Sequence, residues 1–457
     1  MARKVIEKFE IGGISVEIGP AISKDAGLVL VARHIRESEW FKLLVDRLLA
    51  AIATSPRRCS GFKKRSKLET GLLALIGGLV MGRRNPNAIA RSFILDPLWR
   101  VTIGRFFNQR DLSRLVELLA AVGEGPLRRA LLASAQTGQD HLELDMDSSV
   151  LELYGTQEWG GYNTHYQTFG YHAGWAIDIR TGKLAALWLN EGNAFTATGQ
   201  ADQLTWILDQ GAQVNLARFD AGLIGPDMLQ AIEGRVERFV CRIKSNEVLD
   251  RFASPMEPLG PLYAGAKSYA EFSYGAETWE KQQRVVVRFQ APDGPDGELV
   301  LFADPERFYF VTSLEECPAE VVATYLRRGE SERVFGEFKG TLEPTFRHQE
   351  VRKNGVWALL VALAYNVLGD LRDQIPKPEK PAKVRVEHRP DFLPEPWVFG
   401  FHRLLDGLTQ PVRPLLDRFR DMALRVSGEL RKVGEHLHLY VQPDILAPVW
   451  FPAIARE

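Results

Sequence analysis

Over residues 1 to about 18 the chain alternates polar and apolar positions and turns at Gly12-Gly13, which predicts a short hairpin or edge strand. From about 24 to 135 the apolar residues recur at three- and four-residue intervals instead. That spacing predicts helices over 39–53, 67–81, 86–95, 109–123 and 126–134, with Pro and Gly at the joints. The period then drops to two, predicting strands at 141–147, 171–179, 184–189, 214–220 and 238–244, with helices near 198–210 and 226–233.

A second strand-rich stretch follows at about 260–315, then helices over 318–340 and 351–372. The second of these is apolar on most faces and should be buried. Prolines and charges over 374–396 predict an exposed linker. The tail carries another helix or two, although HLHLYV near its end reads as one face of a short strand.

Strands followed by strand-helix units predict an α/β fold with a mixed sheet flanked by helices. The expected division is a helical, basic N-terminal DNA-binding domain over 1–135, a core over 136–247 and 317–373, and a strand-rich insertion at 248–316. The 374–396 linker and a helical region over 397–457 complete it.

The length of 457 residues exceeds the usual limit of one core. Cys59, Cys241 and Cys317 lie too far apart for zinc-ligand spacing and read as reduced thiols. No uninterrupted apolar segment marks the N-terminus as a secretory signal, and no run reaches membrane-span length, so a cytoplasmic location is expected.

A net charge of -1 argues against a protein that grips a polyanion, but the average hides an asymmetry. Between Arg57 and Arg110 there are twelve Lys or Arg against two acids, Glu69 and Asp96. This excess is a footprint for phosphate or, more plainly, a solvated helical surface. The chain lacks a G-x-x-x-x-G-K-[ST] loop, a G-x-S-x-G elbow and an H-E-x-x-H pair, so ATP-driven, serine-hydrolase and zinc-peptidase chemistry have no support.

Three acids remain as candidates. Asp147 closes the predicted strand HLELDMD, with Glu143 and Asp145 on the same face; a half-exposed strand would show the same alternation. Strand geometry allows either Asp145 or Asp147, and Asp147 is nearer the strand end. Asp220 closes VNLARFD, where open sheets gather ligands, and where an Asp can equally cap a turn. Tyr325, Arg328, Glu332 and Lys339 fall at helical spacings along one stripe: an ordinary ion-paired helix, or an acid for a metal flanked by cations for phosphates.

Tyr325-x2-Arg328-x3-Glu332-x6-Lys339 resembles the YREK signature of DDE insertion-sequence transposases, in the large group numbered four and most nearly in the group numbered 1380. Further resemblances are Asp145-Met146-Asp147-Ser148, Gly155-Thr156-Gln157-Glu158, the turn Leu189 to Asn193, Arg218-Phe219-Asp220-Ala221-Gly222, and the run from His348 to Asn366. Ser149, Leu223, Arg327 and Glu330 depart from that pattern, and together the similarity covers roughly 140–370.

The resemblance implies an RNase H-like core in which Asp147, Asp220 and Glu332 hold two Mg2+ or Mn2+ ions, while Tyr325, Arg328 and Lys339 contact DNA phosphates. It implies cleavage at insertion-sequence ends followed by strand transfer, with terminal inverted repeats and target duplex as partners and a homodimer on DNA. A bacterial host is implied; neither a membrane nor ATP takes part. In relatives the insertion can hold a Trp that supports an extruded base; Trp279 is the Trp in that stretch, and sheet packing is its simpler role. The alternatives are an RNase H-like nuclease that does not rejoin ends, and a non-catalytic DNA-binding descendant.

Overall fold

The computed structural model describes residues 8–11, 14–18, 25–54, 62–258, 262–292, 299–300, 304–342, 344–374, 427–433 and 436–442. They form two compact units, one from residues within 1–38, 66–113 and 367–457, the other from residues within 39–65 and 114–366.

The first unit holds α1 (Leu28–Glu37), α3 (Arg65–Val80), α4 (Pro86–Leu95) and α5 (Pro97–Ile103). Asn85 and Asp96 cap α4 and α5 with side-chain oxygens, each followed by a proline whose missing N–H costs nothing there. Buried Asp25 accepts from Arg83 at 2.5 Å and from Trp99 Nε1 at 2.8 Å, fixing the helices around one satisfied charge.

The two chain ends supply a sheet of order β1-β2-β15-β14, comprising β1 (Lys8–Ile11), β2 (Ile14–Ile18), β14 (Ser427–Val433) and β15 (His436–Gln442). The antiparallel strands of the expected hairpin and the HLHLYV strand are both there, and Gly12-Gly13 lie outside the described residues. Residues 427–433 are strand rather than helix: a short segment of mixed pattern is decided by its partner, here β15. Residues 397–426 and 443–457 lie outside the described residues.

Helices α2 (Glu39–Thr54), α6 (Gln109–Val122) and α7 (Gly125–Gln136) precede the sheet of the second unit. Its strands are β3 (Leu142–Glu152), β4 (Gly161–Asn163), β5 (Thr168–Asp178), β6 (Lys183–Asn190), β7 (Val214–Phe219), β8 (Val236–Ile243), β10 (Lys267–Tyr274), β11 (Gln283–Gln290) and β13 (Glu306–Thr312). β9 (Leu262–Tyr263) and β12 (Leu299–Val300) pair apart from it. The order is β10-β11-β13-β8-β7-β3-β5-β4, with β6 also on β5.

β5 and β6 run as an antiparallel meander from β3, whereas β7 and β8 return parallel to it through α8 (Gln200–Asp209) and α9 (Pro226–Ile232). This is a mixed, RNase H-like sheet, as expected. After residue 248, β13, β11 and β10 continue the sheet antiparallel from β8.

One sheet face, including Leu144, Met146, Ala217 and Phe239, packs with α8, α9 and α10 (Glu247–Ala253). On the other, Leu216, Val240 and Phe310 pack with Val321, Val322 and Tyr325 of α11 (Pro318–Leu326). Trp175 of β5 stacks on Phe335 of α12 (Gly329–Leu342) at 4.8 Å.

α13 (Val351–Gln374) is long and apolar enough to cross a membrane, yet it is buried along almost its whole length, as the helix of a core is. Its Asn366 holds the backbone of β6 by bonds to Leu184 N and O, both 2.9 Å. Buried Cys241 and exposed Cys317 are unpaired, and Cys59 lies outside the described residues.

Candidate active site

Asp147 does not end its strand. β3 runs five residues further, to Glu152, because Trp175 and the rest of β5 continue to pair with it. What stops there is β7: its last pair with β3 is Phe219 with Met146. Asp147 thus stands where β3 loses a neighbour, and Asp220 is the next residue of the chain leaving β7. Two acids remote in sequence meet at one notch in the sheet.

One register step back, Asp145 faces Arg218. Both are buried, and the guanidinium donates to both carboxylate oxygens at 2.5 and 2.8 Å and to Thr324 O at 2.9 Å. Burial pushes the Asp145 carboxyl above its usual range, with Arg218 pulling it back. This pair ties β3 and β7 to α11, so that Asp145 is taken by Arg218 while Asp147 contacts Arg328.

The third acid arrives from the far side of the chain. The single helix expected over 318–340 is two, broken at Arg327-Arg328, where Arg328 N bonds Tyr325 O in a tighter turn and Ser331 Oγ takes Arg328 O. Tyr325 lies at the end of α11, Arg328 stands in the break, and Glu332 and Lys339 belong to α12.

Arg328 is nearly enclosed, with 8% of its side chain exposed. Its guanidinium contacts Asp147 directly, Asp220 at 3.5 Å and Glu332 at 3.4 Å. The acids open progressively to solvent, from 18% for Asp147 to 43% for Asp220 and 63% for Glu332. Burial raises the Asp147 carboxyl, and the like charges of Asp220 and Glu332 raise it further against the pull of Arg328. Burial works to lower Arg328, but the surrounding carboxylates outweigh it and leave its pKa raised.

Tyr325 packs its ring against Phe310 at 5.1 Å and donates its hydroxyl to Asp220 at 3.4 Å. Lys339 Nζ donates to Ser149 Oγ at 3.0 Å, and burial lowers its pKa.

Residues not singled out from sequence brace the cluster. His172 Nδ1 lies 2.6 Å from the Ala194 carbonyl, which can only accept, so Nε2 is left to accept from Ser148 Oγ at 2.8 Å. Gln200 Nε2 holds Asp147 O at 3.0 Å and Tyr166 OH holds Ser148 O at 3.0 Å. An isolated His or Gln in a strand or helix carries no signal of such a contact. The Gln157-Glu158 pair has a different duty: Gln157 Nε2 bonds Phe346 O at 3.3 Å, and Glu158 accepts from Val351 N at the start of α13 at 3.1 Å. Trp279 lies edge-on to Tyr274 at 5.6 Å against the core, a packing role.

Among the described residues, no three His, Cys, Asp or Glu side chains stand close enough to hold one metal ion. Asp147, Asp220 and Glu332 meet on Arg328 instead. Carboxylate oxygens are the donor type a hard divalent cation takes, and the outer two of these three acids face solvent.

Fold and site define an RNase H-like α/β protein with an acidic cluster at the notch where β7 leaves β3. The chain matches the family described as Transposase DDE domain group 1 over residues 14–388, and it belongs to that family. A cryo-EM structure of a piggyBac transposase synaptic complex with hairpin DNA is similar at a TM-score of 0.44 and 11% identity, over 76% of this chain and 75% of that one. No curated protein is significantly similar in sequence.

Proposed function

We propose that the chain is an insertion-sequence transposase, nearest the group numbered 1380, that cuts DNA at the ends of its element and joins the freed 3′ hydroxyls to target DNA. The observation that carries this reading is the convergence of Asp147, Asp220 and Glu332, from three distant parts of the chain, within ion-pair reach of Arg328. Asp147, Asp220 and Glu332 would hold Mg2+ or Mn2+. When bound, such ions activate the attacking oxygen and stabilise the leaving one.

The protein's own side chains orient that chemistry. Arg218 neutralises Asp145 behind the site, Gln200 and Tyr166 hold the backbone at Asp147 and Ser148, and His172 holds the Ser148 hydroxyl. Lys339 and Arg328 are the cations for flanking phosphates. Of the basic stretch, Arg91, Arg100, Arg105 and Arg110 of the first unit are exposed and supply a surface for the terminal repeats; Lys63 and Lys64 of the second unit are exposed as well. Arg57 and Arg58 lie outside the described residues. Two ends joined in concert call for a homodimer on DNA, acting in the bacterial cytoplasm.

The test is a plasmid carrying the gene with its native flanking DNA, incubated with purified protein and Mg2+. Wild type should cut at both flanks and give joined products. Glu332→Ala should do neither while still shifting flank DNA in a gel. Cutting without joining would favour the RNase H-like nuclease, and cutting unchanged in Glu332→Ala would remove the assignment.

A further inference from the structure

The two arginines beside the acids are built differently. Each Arg218 guanidinium nitrogen has a partner at 2.9 Å or closer, two of them on Asp145 and one on Thr324 O. Arg328 touches three carboxylates, yet two of its contacts are long, at 3.4 and 3.5 Å, and its buried Nε has no hydrogen-bond partner. A guanidinium in a finished structural ion pair satisfies its donors. Arg328 also sits in the break between α11 and α12 rather than inside a helix.

From this contrast we infer that Arg328 is a built-in counter-cation: it holds Asp147, Asp220 and Glu332 together in the metal-free protein, and a divalent ion loads only as the guanidinium withdraws. The inference rests on the metal-dependent reading above. Its physical basis is that the oxygens Arg328 contacts are those an ion would need, and two cations a few ångströms apart at a buried site repel strongly. Without a stand-in cation the three carboxylates would repel one another; with it, the cluster is assembled but its affinity for metal is held down.

The measurement is Mn2+ binding by calorimetry to the full-length protein without DNA, for wild type, Arg328→Gln, Arg328→Lys and Asp147→Asn. Arg328→Gln should bind at least about tenfold more tightly than wild type, since a positive charge beside the ion is gone. Arg328→Lys, which keeps the charge but lacks the fork that spans three acids, should fall between. Mutual repulsion of the acids should also lower the melting temperature of Arg328→Gln, and Mn2+ should raise it by more than it raises wild type.

Equal or weaker Mn2+ binding by Arg328→Gln, with binding still lost in Asp147→Asn, overturns the counter-cation role and leaves the metal site standing. Should Arg328→Gln fail to fold with or without Mn2+, Arg328→Lys decides, and an affinity no greater than wild type overturns the role. Mn2+ binding that Asp147→Asn does not diminish sinks the metal-dependent reading itself.

Discussion

Asp145 and Arg218 are register partners across the parallel β3–β7 pair, and the guanidinium grips both carboxylate oxygens, at 2.5 and 2.8 Å, with both side chains buried. Each lies two residues before a site acid, so the same strand period that puts Asp147 and Asp220 at the notch puts a cancelled charge pair directly behind them. The Asp-x-Asp and Arg-x-Asp patterns are therefore one device, a salt bridge that sets the register of the strands carrying the acids.

Removing one partner of that pair should be costly. Asp145→Ala leaves a buried guanidinium without its carboxylate, and a loss of about 3–5 kcal/mol is expected in urea unfolding. The double substitution Asp145→Leu with Arg218→Met should recover most of it. If Asp145→Ala unfolds like wild type, the pair is not holding the strands.

The brace at His172 should show in the pH dependence of stability. Burial lowers this imidazole, the Ala194 carbonyl opposes that, and His165 adds to it; His348 is lowered as well, by burial and Lys353. The unfolded chain takes up these protons near pH ~6.5 while the native one resists, so stability is lost as pH falls below that value. Relative to wild type, His172→Gln should lose less between about pH 7 and 5. Parallel curves for the two proteins would show that His172 is not the group involved.

Gly192 permits the close crossing of the 190–194 turn over the strands beside it. A Cβ there would overlap the backbone of both Gly161 and Gly170, and backbone cannot yield as a flexible side chain can. Gly192→Ala should cost at least about 1–3 kcal/mol, the range of overpacked sites, and lower the yield of folded protein. A melting temperature equal to wild type would contradict this crossing.

Tyr325 separates packing from polarity. Tyr325→Phe keeps the ring on Phe310 and loses only the 3.4 Å bond to Asp220, so a change within about 1.5 kcal/mol is expected. Tyr325→Ala empties a buried site and should cost about 3–5 kcal/mol. Chemical denaturation of the two variants distinguishes them, and equal losses would mean that the hydroxyl matters more than the ring.

Much of this protein was legible in its sequence. The change of period from helical to alternating near residue 140 marked the start of the sheet, because the burial of one face imposes that period on any strand. Spacing also located Tyr325, Arg328, Glu332 and Lys339 on one side of a helical segment. The break at Arg327-Arg328 was marked only by Gly329, a poor helix former that a helical pattern can also carry through. Spacing did not show that β3 continues past Asp147, because Ser148-Ser149 looks like a strand end until β5 is there to pair with it.

Local pattern is set by each residue's immediate neighbours, and so the elements, the acids and the basic stretch could be read from the chain alone. Which cation each carboxylate meets depends on partners more than 70 residues away, Arg218 for Asp145 and Arg328 for Asp147. Electrostatic roles follow distance in space, and the folding of β3, β7 and the α11–α12 turn onto one notch is what created those distances.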